Sequence, residues 1–326
     1  MRDQLEAFAY LAPAGLILLI FWFLPVLLAL IVSFFDATAL TPIGDFNWVG
    51  LSQYTRAFQD EDFVQSLWNT LNYTVYSVPP TLALSLIAAL LLNSKIKGRA
   101  FFRTAFFLPY VTTWVAISIV WTYLFNREAG LANWLFRVIT EDILGGSYQD
   151  LAWLAEPKGI FEMMFGYTVP DLALGLNAIP EGPSLAMFCI IVTSIWRDIG
   201  YFMIIFLAGL QSIDHSYYEA ADIDGATPFQ KFWAITFPLL SPVTFFLLVI
   251  SMIGAFKIFV PMLVMTPDGG PDGTTSPIVF YMYSIGFTGQ WELSYASAIA
   301  YILTIIILVL TVAQNRVFGK KVEYGQ

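Results

Sequence analysis

The chain has 326 residues, 58% of them hydrophobic and 12% charged, with a mean hydropathy of +0.71. Soluble domains carry about 25% charged residues, so this composition excludes an ordinary soluble globular protein. One Cys and one His exclude a disulfide framework, a Cys/His metal cluster and most Ser-His or Cys-His catalysis, and a net charge of −9 argues against nucleic acid as a partner.

Six charge-poor runs can each cross a hydrocarbon core of about 30 Å. They predict an all-α integral membrane protein with six transmembrane helices, at about 9–34, 71–92, 104–125, 184–208, 242–264 and 295–315. The first run is longer than a signal-peptide apolar region and lacks a small-residue cleavage site. It reads as a retained helix kinked near Pro13 and Pro25.

Between the second and third runs, Lys95, Lys97, Arg99 and Arg103 occur with no acid, and Arg316, Lys320 and Lys321 follow the sixth. Placing both termini and the even-numbered loops in the cytoplasm puts nine Lys and Arg inside against four outside, which fixes the expected orientation. Most of the acids, Asp60-Glu61-Asp62 among them, then lie outside as a solvated face or a docking surface. The segment 126–183 is expected outside as a partly helical subdomain, because Trp134, Trp153, Phe161, Met163, Met164 and Phe165 are too apolar for a tether. No internal repeat stands out.

The segment from Ser216 to Pro242 carries the most information. Ser216 with Glu219 reads as a capping box that starts a short helix, and Gly225 suits its left-handed stop. Thr227 caps a second helix with Pro228 at its first position and Gln230 three residues after the cap. Pro238 is expected to end that helix and Pro242 to open the fifth span. Two short helices bent at Gly225, on the cytoplasmic side, suit a protein contact.

Glu219-Ala220-Ala221, Asp224-Gly225-Ala226, Phe232, Ile235 and Pro238 resemble the EAA loop of permease subunits of ABC importers. The resemblance implies that 216–238 forms coupling helices docked in a groove of an ATPase subunit, which transmit its closure to the membrane helices. Leu207-Ala208-Gly209-Leu210-Gln211, Phe107-Leu108-Pro109, Trp121, Leu124-Phe125-Asn126, Gly130, Asn133, Thr266-Pro267-Asp268-Gly269-Gly270-Pro271 and Tyr295-Ala296-Ser297-Ala298 are similar to the MalF-like, carbohydrate-uptake branch. It implies a type I importer fold in the cell inner membrane, and the chain departs from the pattern near 157–184, where extra residues form an expected external insertion. The implied partners are a second permease subunit as a heterodimer, two copies of an ABC ATPase, an extracytoplasmic solute-binding protein, a small solute and membrane lipid. No phosphate-binding G-x-x-x-x-G-K-[S/T] loop occurs, so no cofactor is expected on this chain, and ATP and Mg belong to the ATPase.

Charged groups within spans are costly and mark cavities or helix contacts. Arg197 and Asp198 are adjacent in the fourth span, about 100° apart, and need not pair with each other. Ser194, Asp198 and Tyr201 share one helical face, and the resemblance places them at the sugar site of MalF-like subunits. Ser251, Phe256 and Lys257 complete the expected pathway from the fifth span, while Trp196 reads as packing. The expected role is a transport subunit, not an enzyme, for a sugar, polyol or similar solute. The alternatives are a secondary transporter or channel acting without an ATPase, which would favour an internal repeat, and an intramembrane enzyme, which the lone His215 disfavours.

Overall fold

In the computed structural model, residues 2–94, 97–165, 182–289 and 291–317 are described. Lys95, Lys320, Lys321 and residues 166–181 of the expected insertion lie outside them. In chain order, α1 (Arg2–Leu18), α2 (Leu24–Val32), β1 (Phe35–Asp36), β2 (Asn47–Trp48), α3 (Ser52–Ala57) and α4 (Glu61–Asn93) come first. Next are α5 (Arg99–Val111), α6 (Trp114–Leu124), α7 (Leu131–Arg137), α8 (Ile160–Phe165) and α9 (Leu185–Gln211). Three short helices follow, α10 (His215–Ile223), α11 (Pro228–Lys231) and α12 (Phe237–Leu239), then α13 (Ser241–Phe256), α14 (Val260–Met265), α15 (Ile278–Tyr283) and α16 (Leu293–Val317).

Among the described residues, five helical runs are long and apolar enough to cross a membrane: Tyr10–Val32, Glu61–Asn93, Leu185–Gln211, Ser241–Met265 and Leu293–Val317. The expected third span is not one helix. It is the pair α5 and α6, bent by 97° at Thr112-Thr113, and it makes a sixth crossing only if the pair is one span. Thr112 is extended, and the Thr113 hydroxyl caps α6 by accepting from the Ala116 amide. Pro109 stands just before this break.

The fifth span is also discontinuous. Lys257 to Phe259 leave the helix between α13 and α14. Pro261 has no N–H to offer the carbonyl four residues back, and it stands in the first turn of α14, where that donor is not needed.

The chain divides into two compact units. One comprises Met1–Val64 and Tyr281–Ile306. Its first helix widens to a π turn over Leu19–Phe23, where the Leu24 amide bonds to the Leu19 carbonyl, just before Pro25. The irregularity therefore falls at the second of the two expected prolines, while Pro13 lies inside α1. β1 and β2 pair antiparallel, Phe35 opposite Trp48, so the all-α expectation misses a two-residue ladder. The apolar run Ile278–Thr288, in α15 and the π turn after it, was also not foreseen.

In this unit Asp60 accepts hydrogen bonds from the Tyr281 and Tyr295 hydroxyls at 2.5 and 2.6 Å. Arg56 pairs with Glu292 at 2.6 Å and lies over the Tyr295 ring. Burial pushes the Asp60 carboxyl up, but the two hydroxyls and the Phe63 and Asp62 amides together hold it below its ordinary pKa.

The other unit comprises Gln65–Phe280 and Ile307–Gln326. Its core draws on α4, α9, α13 and α14, with Met187, Ile190, Met203, Phe206, Leu247 and Met262 essentially fully buried. A second cluster of Trp153, Leu185 and Cys189 sits under Phe125, Leu151 and Phe188. Asn133 organises the segment beside it. Its amide donates to the Arg127 and Leu151 carbonyls at 2.8 and 3.0 Å. Its carbonyl accepts from the Tyr148 hydroxyl, the Trp153 indole and the Leu151 amide.

Replacing Asn133 with Ala strands these groups, and each buried one left unpaired costs about 1–3 kcal/mol. Amide exchange across residues 131–154 is expected to quicken by roughly tenfold or more. Unchanged protection there would show that Asn133 does not hold the segment.

Candidate functional site

Two constructions in the larger unit gather the site residues expected from the sequence: a polar cavity among the spans and the elbow between α9 and α13. The cavity measures about 310 Å³. α4 contributes Tyr73, Ser77 and Thr81, and the bent pair contributes Tyr110 and Trp114 from either side of its break. α9 contributes Ser194, Arg197, Asp198 and Tyr201, while Ser251, Gly254, Lys257 and Phe259 come from the broken fifth span. Both helix discontinuities therefore face this one space.

Five of the six pathway residues expected from the sequence line the cavity: Ser194, Asp198, Tyr201, Ser251 and Lys257. Phe256 does not. It is buried away from the cavity, beside Met252, Ile307, Leu310 and Gln314. The reason is geometric, since Phe256 lies five residues beyond Ser251, about 140° round the helix. Phe259, carried round by the break, lines the cavity instead.

Arg197 and Asp198 do pair, Nη1 to Oδ1 at 2.6 Å, because the long arginine stem reaches across the angle between neighbouring positions. Arg197 Nη2 donates to the Tyr110 carbonyl at 3.2 Å. Its guanidinium carbon lies 4.7 Å from the Tyr110 ring centroid and 4.2 Å from that of Trp114. Tyr201 stacks on Tyr110, with ring centroids 4.3 Å apart and planes 10° from parallel. α9 is thus clamped to both sides of the 97° bend. Trp196 meets Trp121 edge-on and stays exposed, off the cavity as expected.

The hydroxyls of Ser194 and Ser251 donate to the Ile190 and Leu248 carbonyls of their own helices. Each oxygen still has lone pairs with which to accept.

The elbow starts earlier than the sequence suggested. Asp214, not Ser216, is the N-cap of α10, accepting from the Ser216 amide at 2.9 Å. That backbone bond and the Ser216 hydroxyl hold the Asp214 carboxyl below its usual range. Glu219 is not the reciprocal cap either. It reaches His215 Nδ1 at 3.1 Å, one turn back along the exposed face.

Gly225 has φ +72°. The Gly225 amide bonds to the Asp222 carbonyl and the Ala226 amide to the Ala221 carbonyl, the paired bonds of a Schellman stop. Ala221 and Ala226 are thus the two ends of the outer bond. Thr227 and Gln230 form the expected capping box with Pro228 in the first turn. Pro238 does not end the second helix. A π turn over Phe232–Thr236, with the Phe237 amide bonded to the Phe232 carbonyl, precedes α12 and takes up its missing donor.

Sequence reading missed two braces across the bend. Lys231 pairs with Asp222, and the Tyr218 hydroxyl meets Thr236 Oγ1 at 3.0 Å. Between them they leave Ile223 and Phe229, 87% and 73% exposed, at the outer corner with Trp233 beside them. Glu219, Ala220 and Asp224 are exposed, while Phe232 and Pro238 are half-buried at the base.

Residues 81–324 match the family described as binding-protein-dependent transport system inner membrane component. The chain belongs to this family. It is a multi-pass inner-membrane permease subunit of a binding-protein-dependent ABC importer, a transport component and not an enzyme, and nucleotide binding belongs to a separate ATPase. An ATPase and a solute-binding protein are its partners.

Among its relatives, the sn-glycerol-3-phosphate transport system permease protein UgpA of Escherichia coli O157:H7 is 32% identical over 324 residues, covering 99% of this chain and 97% of the relative. The protein of the same name from Salmonella typhi is 31% identical over the same span. Of solved structures, a bacterial ABC transporter involved in the import of the acidic polysaccharide alginate superposes with a TM-score of 0.76 at 23% identity. That match covers 98% of this chain and 96% of the other, and it speaks to the fold.

Proposed function

We propose that this chain forms half of the translocation pathway for a sugar, polyol or related small solute, paired with a second and different permease chain. In this reading each permease carries one ATPase copy, both termini and the elbow lie on the ATPase side, and 126–183 faces the binding protein. The observation that carries it is the elbow. Two independently capped helices, locked at a Schellman stop and braced by two side-chain pairs, present Ile223 and Phe229 as a rigid apolar corner for a groove. Glu219, Ala220, Ala221, Asp224, Gly225, Ala226, Phe232 and Pro238 form or support that contact.

The cavity is the proposed solute path, with Ser194, Asp198, Tyr201, Ser251 and Lys257 on its walls. Broken helices converging on one polar space are how transporters expose backbone and side chains to a solute. The polyol reading draws on the serine hydroxyls and stacked tyrosines, and on the substrate named for the 32% identical relatives.

The test is reconstitution with the cognate second permease, ATPase and binding protein in proteoliposomes. Solute uptake is expected only with ATP and the loaded binding protein, which also raises ATP hydrolysis. Uptake driven by an ion gradient, without the ATPase, would establish a secondary transporter instead.

A further inference from the structure

We propose that Lys257 is the anion receptor of the cavity, and that the solute is a small sugar or polyol bearing one anionic group, a phosphate ester or a carboxylate. The inference deepens the reading of the cavity as the solute path and rests on it.

Charge within the lining carries the argument. The cavity holds three formally charged groups: Arg197, Asp198 and Lys257. Arg197 and Asp198 neutralise each other at 2.6 Å, and the guanidinium is further fixed by the Tyr110 carbonyl and two aromatic rings. Lys257 has no acidic partner among the described residues, and it is exposed. The cavity therefore carries one uncompensated positive charge. An unpaired cation within a membrane span is costly, and such groups mark substrate paths.

Its position adds to the argument. Lys257 sits at the C-terminal end of α13, where the break frees the chain from helical packing and the negative end of the helix dipole tolerates a cation. Lys257 thus stands on the cavity wall and is not folded into an ion pair.

The remaining lining suits the rest of such a solute. Ser194 and Ser251 spend their donors on helix carbonyls and offer acceptors to solute hydroxyls, which an anionic end would avoid. Tyr201, stacked on Tyr110, puts an aromatic ring on the cavity wall for the C–H groups of such a solute. A volume of about 310 Å³ stands at the lower end of ligand pockets, which suits a triose- to hexose-sized solute.

The test uses the purified importer complex in lipid nanodiscs without ATP, titrated by ligand-observed NMR. The probes are sn-glycerol 3-phosphate against glycerol, and D-glucuronate against D-glucose. At least one anion is expected to bind about tenfold or more tightly than its neutral counterpart, the ratio a charge-assisted hydrogen bond supports. Which anion wins separates phosphate from carboxylate recognition. Lys257→Met should reduce that preference to within about twofold while neutral probes shift little, and Lys257→Arg should keep it. Equal binding of anion and neutral partner, no binding of either anion, or a preference that survives Lys257→Met would each overturn the assignment. Failure of ATP-driven uptake would instead strike the importer reading, because this binding is measured without turnover.

Discussion

Gly225→Val is expected to abolish most transport while leaving the chain inserted and paired. Gly225 holds φ +72°, and a β-carbon there would meet no atom within 4 Å. The penalty is therefore purely conformational. A left-handed backbone costs an L-residue about 1–2 kcal/mol, and more when it is β-branched.

Relief of that strain requires the Schellman pair to open, which releases α11 from its angle to α10 and loosens the Asp222–Lys231 brace. A shift of this size changes a two-state population by about 5–30-fold. ATP-dependent uptake and the stimulation of ATP hydrolysis by loaded binding protein should fall together by that factor. Gly225→Asn, which tolerates the left-handed region, should retain most of both. Normal uptake by Gly225→Val in proteoliposomes would mean that the bend does not couple the ATPase to the spans.

What the sequence disclosed divides by the range of the interactions involved. The stop at Gly225 and the Thr227 box were legible because each is written within four residues. The cap at Asp214 was misplaced by two positions, since Asp214 and Ser216 are both good caps and only the backbone decides between them. The polar face Ser194, Asp198, Tyr201 came from the family resemblance, with the helical period in agreement.

Both helix breaks were hidden, because an apolar run looks the same whether it crosses straight or bends. Their signals were local: Thr113 as a cap shortly after Pro109, and Pro261 four residues beyond Lys257. The second break also puts Phe259, and not Phe256, on the cavity wall. The Arg197 clamp was beyond reach, for it joins side chains 87 positions apart.

The packing behind that clamp yields the other large effect, on assembly. Gly200 lies one turn from both Arg197 and Tyr201 or nearer, on the side of α9 that meets α5. A β-carbon at Gly200 would sit 1.8 Å from the Phe106 carbonyl oxygen and 2.9 Å from the Phe107 α-carbon. These obstacles are backbone, so no rotamer change relieves them. α9 is also held from another side, where the Ser85 hydroxyl donates to the Ile199 carbonyl at 3.1 Å.

Moving α9 off α5 would strain that bond and pull Arg197 and Tyr201 from Tyr110. Overpacking a well-fitted core typically costs about 1–3 kcal/mol, and an immovable neighbour puts Gly200→Ala at or above the upper end. Gly254→Ala is the matched control, because its β-carbon meets nothing within 4 Å and a helical alanine replaces a glycine at a gain of roughly 0.5–1 kcal/mol. Thermal unfolding of the detergent-purified complex, followed by size-exclusion fluorescence, should show a clear drop in midpoint or loss of the assembled peak for Gly200→Ala. Gly254→Ala should melt at or above the wild-type midpoint. Equal midpoints for Gly200→Ala and the wild type would mean that α5 and α9 do not touch backbone to backbone, and the clamp on the bent helix pair would lose its foundation.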